Sequence, residues 1–224
     1  MHREVILTAD GSPSIWVPDL NESYHSRFGA VQESRHVFIK AGLEPMLSQL
    51  EEISILEVGF GTGLNALLTW ESIRLTSKKI HYTAIEPFPL SVKDIQLLKE
   101  KNALNNLWDE HIFLAMHTSP FDNPVAINEQ FLLLKRRQTI QEFTCNQMLH
   151  LVYFDAFSPA VQPELWTGEI FSKLYAMLHS GGLLTTYSCK GNVRRAMQAA
   201  GFRVEKLQGP PGKKEMLRAW RLVG

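Results

Sequence analysis

The residues best suited to chemistry lie at three points along the chain, each at the end of an apolar run. The first is Glu57-Val-Gly-Phe-Gly-Thr-Gly-Leu-Asn65, where Gly59, Gly61 and Gly63 alternate just after the run 53–58. A sharp strand-to-helix turn uses backbone conformations that glycine adopts at little cost, and side chains there would keep a ligand off the main chain. The dinucleotide pattern G-x-G-x-x-G would require glycine at 64, where Leu64 stands. The loop is therefore of another kind. The second point is Glu86, which ends the run 80–85, 23 residues past Gly63. A carboxylate there can accept hydrogen bonds from both hydroxyls of a ribose. The third is Asp155, delivered by the run 149–154 to the lip where open α/β sheets bind ligands. Such a carboxylate could orient a nucleophile and take up its proton, or could only cap the following turn.

The flanking elements must bring these points together. Residues 1–31 read as a short hairpin plus loop, and 33–50 as a helix carrying Val37, Phe38, Ala41, Met46, Leu47 and Leu50 despite Gly42 and Pro45. Strands are then expected at 53–58 and 80–85, each followed by a helix, at 64–73 and about 89–98. A weaker strand at 131–134 precedes a strong one at 149–154. A helix at 163–178 is stopped by Gly181-Gly182. A strand at 183–187, a helix at 192–200 and a strand at 202–207 follow, then the turn Gln208-Gly-Pro-Pro-Gly212 and a last strand at 215–222. This alternation predicts an α/β fold with a doubly wound, mostly parallel sheet covered on both faces. Its last two strands, joined without a helix, should pair as an antiparallel hairpin. The length favours a single domain, 1–224, with residues 1–50 as an N-terminal extension and helix packed on it.

Composition narrows the classes. Apolar residues make up 45% and charged residues 21%, as in an ordinary globular protein. The N-terminus MHREVILTADG has no apolar signal core, and no run approaches the ~18 apolar residues of a membrane span. A cytoplasmic protein with no membrane partner is expected. Cys145 and Cys189 make neither a CxxC pair nor a zinc site, and eight scattered histidines show no HxxxH spacing, so no metal is expected. Net charge is zero, yet Lys190 onward carries nine Lys or Arg against Glu205 and Glu215. That local +7 fits a phosphate contact or a plain solvated face.

Glu57, two residues before the first glycine, completes the E/D-x-G-x-G-x-G loop of S-adenosylmethionine enzymes, and a sheet ending in a hairpin is the pattern of class I S-adenosylmethionine-dependent methyltransferases. On that reading the cofactor contacts Glu57, Gly59, Phe60, Gly61, Gly63 and Asn65, with Glu86 on the ribose and Asp155 near the methyl group. Amine methyltransferases often carry (N/D)PP(Y/F) after the fourth strand, and Asp155-Ala-Phe-Ser-Pro159 departs from that form. With Gly29-Ala-Val-Gln-Glu-Ser-Arg-His-Val-Phe38, Glu86-Pro-Phe-Pro-Leu90, Pro163-Glu-Leu-Trp166, Val193-Arg-Arg195 and Gly212-Lys-Lys-Glu-Met-Leu217, the chain resembles the methyltransferase unit of the tRNA 5-methylaminomethyl-2-thiouridine biosynthesis enzymes, in its stand-alone form. The resemblance spans nearly the whole chain. It implies N-methylation of the aminomethyl group of 5-aminomethyl-2-thiouridine at the tRNA wobble position, with the anticodon stem-loop as partner.

The resemblance also assigns roles. Asp155 would aim the amine and take up its proton, directly or through water. Tyr24, Ser158, Arg194, Arg195, Lys213 and Lys214 would touch tRNA, the lysines from an exposed turn onto phosphates. Phe60, Phe157, Trp166 and Tyr187 could stack on an everted base or simply fill the core. Many relatives continue into a flavin-dependent oxidase domain, and a chain ending at Gly224 is expected to lack that activity. The family places Gly-Asp after the third strand, where this chain has Gln138-Thr139, so the Gln138 amide or a backbone carbonyl would have to serve the adenine. Two rival functions remain. An aminopropyltransferase of the spermidine synthase type would need a second acidic residue near Asp155, and a non-catalytic tRNA-binding module would need neither the glycine loop nor Glu86.

Overall fold

The N-terminal hairpin is part of a small sheet. In a computed structural model, which describes residues 2–222, β1 (Glu4–Leu7), β2 (Pro13–Val17) and β3 (Glu22–Ser23) pair antiparallel in that order. The chain then enters α1 (Ala30–Ser34), a π-helical stretch Arg35–Leu43, and α2 (Glu44–Leu47). Two local features accompany the widened stretch. Pro45 has no N–H to give to the Ala41 carbonyl, which takes a bond from Arg218 Nη1 at 3.4 Å instead. Gly42 lies so close to the sheet that a Cβ would stand 3.1 Å from Thr185 Oγ1.

From there strands and helices alternate: β4 (Glu52–Val58), α3 (Leu64–Ile73), β5 (Lys79–Ile85), α4 (Val92–Asn102), α5 (Glu110–Thr118), β6 (Val125–Asn128), β7 (Phe131–Arg136), β8 (Leu149–Phe154), α6 (Gly168–Met177), β9 (Leu178–Thr186), α7 (Gly191–Ala199), β10 (Arg203–Gln208) and β11 (Glu215–Trp220). Eight of these strands form one sheet in the order β10-β11-β9-β8-β4-β5-β7-β6. The central pairs β9-β8, β8-β4, β4-β5 and β5-β7 are parallel, whereas β10-β11 and β11-β9 are antiparallel. The mostly parallel sheet with its terminal hairpin is thus as expected.

Alternation along each strand divides the core. Ile53, Ile55, Leu151 and Tyr153 face the helices of residues 30–47, α3, α4 and α5, while Leu56, Val58, Val152 and Phe154 face α6 and α7. Three expectations need correction. Residues 163–178 are not one helix, since a 3₁₀ turn Pro163–Leu165 precedes α6, which starts at the Thr167 cap. Gly181 and Gly182 do not stop that helix but lie within β9, where the Gly181 N–H and the Gly182 carbonyl both bond Arg221. Finally, α5 and β6 had no expected counterpart, and β6 pairs antiparallel with β7, the strand expected at 131–134.

Candidate active site

The C-terminal ends of β4, β5 and β8 open into a cavity of about 570 Å3. Val58 and Phe154 are register partners, and the Asp155 N–H donates to the Val58 carbonyl at 3.0 Å, so Asp155 leaves the sheet directly beside Gly59. Gly59 has φ +94°, and a Cβ on it would stand 2.6 Å from the Asp155 carbonyl oxygen. Gly61, at φ +51°, brings its main chain to within 3.1 Å (for a notional Cβ) of the Tyr24 ring. No other residue type fits the first position, and the second would be strained by any side chain.

Glu86 follows β5 at the cavity wall. Its Oε2 accepts the Gly61 N–H and its Oε1 the Phe88 N–H, both at 2.9 Å, and each oxygen keeps lone-pair capacity for a further donor. Burial raises its carboxyl above the ordinary range, against those two N–H donors and Arg3. Arg3 clamps the loop by donating to the carbonyls of Phe88 and Pro89 at 2.6 and 3.1 Å.

Asn65 ties two carboxyl groups together. Its Nδ2 donates to Glu57 Oε1 at 2.9 Å and to Asp155 Oδ2 at 2.8 Å. Glu57 is fully buried, and burial holds its carboxyl well above the usual range. Asp155 is pushed up to about 7, chiefly by burial and then by the charge of Glu33, with the Asn65 bond and Lys213 pulling the other way. Such a carboxyl can exchange a proton near neutral pH. Asn65 Oδ1, on a residue of the cavity wall, is buried with no hydrogen-bond partner among the described residues. An orphaned acceptor there suits a ligand that brings an N–H donor.

The expected site residues separate into two groups. Gly59, Phe60, Gly61, Asn65, Glu86, Asp155, Tyr24, Ser158 and Lys213 line the cavity. Glu57 and Gly63 lie behind it, Glu57 acting through Asn65 and Gly63 opening α3 at φ +70°. Arg194, Arg195 and Lys214 are outside the lining, and Gln138 is replaced there by Thr139, Ile140 and Gln141. The two lysines do not share an exposed turn: Lys214 is exposed, whereas Lys213 turns inward to pair with Glu33. Of the aromatics, Phe157 and Tyr187 line the cavity, whereas Trp166 is core and donates its Nε1–H to the Phe157 carbonyl at 2.9 Å. Glu22, His25 and Glu33 had no assigned role. Glu22 accepts from Ser158 N and Oγ at 3.0 and 2.8 Å, fastening β3 to the turn after β8. His25 is held down to about 4 by burial and is neutral at physiological pH.

The glycine turn and two carboxyl groups, Glu86 and Asp155, thus meet at adjacent strand ends around one cavity. Comparison with known proteins specifies the class. The family model described as S-adenosyl-L-methionine-dependent methyltransferase matches residues 99–222. The chain belongs to this family. The methyltransferase is also similar along its length to proteins described as tRNA 5-methylaminomethyl-2-thiouridine biosynthesis bifunctional protein MnmC. The Aromatoleum aromaticum protein is 32% identical over 95% of this chain, and the Pseudomonas fluorescens protein 30% identical over 97%. In each case the match takes up 34% of the relative, so the chain spans about a third of the length of these proteins. The crystal structure of MnmC2 from Aquifex aeolicus superposes with a TM-score of 0.75 over 100% of this chain and 72% of that one, at 24% identity, and has the same fold. The cofactor of this methyltransferase is S-adenosylmethionine. The site fits it: the main chain is bare at Gly59 and Gly61, Glu86 has spare acceptor capacity for ribose hydroxyls, and Asn65 Oδ1 awaits a donor such as the methionine amino group. Among the described residues no helix is long and apolar enough to cross a membrane.

Proposed function

We propose that the protein methylates the primary amine of 5-aminomethyl-2-thiouridine at the wobble position of tRNA, docking the anticodon stem-loop at the cavity mouth. Residues 59–63 would hold the cofactor's methionine part, and Glu86 its ribose. S-adenosylmethionine supplies a methyl group that is already electrophilic, so the chain has to position, desolvate and deprotonate the acceptor. An alkylamine is mostly protonated at neutral pH, as a lysine of pKa ~10.4 is. Asp155 takes a proton from the bound ammonium, which frees the nitrogen lone pair, and its hydrogen bond aims that lone pair at the methyl carbon. As the N–C bond forms the S–C bond breaks, its electron pair stays on the now neutral sulfur, and the product is a secondary ammonium. The single observation that carries this reading is the half-buried Asp155 carboxyl, held by Asn65 at a cavity wall with its proton affinity moved to about 7. The names of the full-length relatives support the choice of tRNA.

One observation favours keeping aminopropyl transfer in the test: a second carboxylate, Glu33, does reach the cavity, although it is already paired with Lys213. Purified protein should be incubated with tRNA bearing 5-aminomethyl-2-thiouridine and either S-adenosylmethionine or its decarboxylated form. Mass spectrometry of the nucleosides should show a gain of one methylene unit on that nucleoside with the first donor only. An aminopropyl adduct, or an unmodified nucleoside with both donors, would overturn the proposal.

A further inference from the structure

The cavity contains a cation site that the protein itself fills. Glu33, on α1, is buried, with its side chain 8% exposed. Its Oε1 accepts the Ser26 N–H at 2.8 Å, and its Oε2 pairs with Lys213 Nζ at 2.5 Å. The same ammonium lies over the Tyr187 ring, 4.0 Å from its centroid. The Tyr187 hydroxyl donates to the Ala156 carbonyl at 2.9 Å, which fixes the ring next to Asp155. A carboxylate opposite an aromatic face is a complete site for a desolvated alkylammonium. The present occupant is partly open to solvent: the Lys213 side chain is 32% exposed and comes from the turn between β10 and β11 rather than from the sheet.

The acceptor proposed above carries the same chemical group that Lys213 does. We infer that Glu33 and the Tyr187 ring form the subsite for the acceptor's aminomethyl group, and that the incoming ammonium displaces Lys213 toward solvent. The inference rests on the amine-acceptor reading. Exchange of one cation for another keeps the buried Glu33 carboxylate paired throughout, whereas an empty site would leave it uncompensated. It also places the arriving nitrogen beside Asp155, on the wall that Tyr187 and Ala156 share.

The test uses binding as well as turnover. Lys213→Ala empties the subsite, so propylammonium chloride should raise the thermal midpoint of that variant more than sodium chloride of equal ionic strength does. Wild type, already occupied, and the double variant Glu33→Gln/Lys213→Ala should show no such difference. With the free aminomethyl nucleoside as acceptor, Lys213→Ala should lower the Michaelis constant. Glu33→Gln should raise it by about tenfold or more, the loss expected for a hydrogen bond to a charged group. Lys213→Met keeps the stem over Tyr187 and should lower the Michaelis constant likewise if the alanine variant does not fold. A propylammonium response that is the same in all three proteins, or a Glu33→Gln variant with an unchanged Michaelis constant, would overturn the inference while leaving methylation of tRNA intact. Failure of the amine reading would look different, with no nucleoside methylated by any variant and the propylammonium response still present.

Discussion

The two walls of the cavity are held by different kinds of bond. On the cofactor side, residues 57–88 form one local unit in which main chain carries the load: Gly59 N–H bonds the Ile85 carbonyl, Glu86 N–H bonds Arg136, and the Glu86 carboxylate takes the N–H groups of Gly61 and Phe88. In the rest of the lining, Glu22 and Glu33 come from the start of the chain, Ser158 from its middle, and Tyr187 and Lys213 from its end. These are joined by side-chain contacts, Ser158 to Glu22, Tyr187 to Ala156 and Lys213 to Glu33. Main-chain bonds continuous with the sheet open only with the sheet, whereas these part-buried side-chain contacts can exchange partners while the strands stay paired. On the proposed function, the donor is thus offered a rigid seat and the acceptor an adjustable one, with Asp155 at their junction.

Substitutions on either side should separate the two functions. The largest effect belongs to the junction: Asp155→Asn should cut methyl transfer ~10²-fold or more, because one group both orients and deprotonates the nucleophile. Single-turnover rates would check this, and a variant with near-normal turnover would reduce Asp155 to a turn cap. Next comes the rigid wall. Glu86→Ala should weaken S-adenosylmethionine binding by about 1.5–3 kcal/mol, the range for hydrogen bonds to a charged group.

The smallest effect is on pH dependence, where activity and stability should move in opposite directions. Because the Asp155 carboxyl is pushed up to about 7 by burial, it is protonated below that pH, and kcat/KM for tRNA should fall on the acid side with a limb near 7. The folded state holds this proton more tightly than the unfolded chain does. The stability it contributes is therefore complete at low pH and is lost as pH rises through about 7. Asp155→Asn should lack the acid limb and melt above wild type at pH 8, by about 2–4 °C for each kcal/mol recovered. Equal melting curves at pH 8 would mean that the carboxyl is not destabilised by its surroundings.

The difference between the walls also explains what could be read from the chain. Residues 53–58, 80–85 and 149–154 are compact apolar runs whose ends deliver Gly59, Glu86 and Asp155, so a local pattern carried both the strand and its chemistry. The helix at Leu64–Ile73 was legible for the same reason, being bounded by Gly63. The acceptor wall had no such signal. Glu33 and Lys213 are 180 positions apart, and their pairing depends on a helix and a hairpin turn meeting across the sheet edge. Glu33 lay inside the conspicuous segment Gly29–Phe38 without a role, and Lys213 looked like half of a basic surface pair. Local rules misled at Gly181-Gly182, where a stop signal proved to be the outer part of a strand paired to the chain end. Helix α5 did carry readable cues, an Asp109 cap and the buried pair Phe113 and Met116, but β6 has only four residues, none of them fully buried.

The separation of the two walls can be tested most directly by one calorimetric series, titrating S-adenosylmethionine into wild type, Asp155→Asn and Glu86→Ala at the same pH. The prediction is an affinity close to wild type for Asp155→Asn, despite its loss of methyl transfer, and a loss of about 1.5–3 kcal/mol for Glu86→Ala. An Asp155→Asn variant that loses cofactor affinity as Glu86→Ala does, or a Glu86→Ala variant that binds normally, would contradict the assignment of donor and acceptor to separate walls.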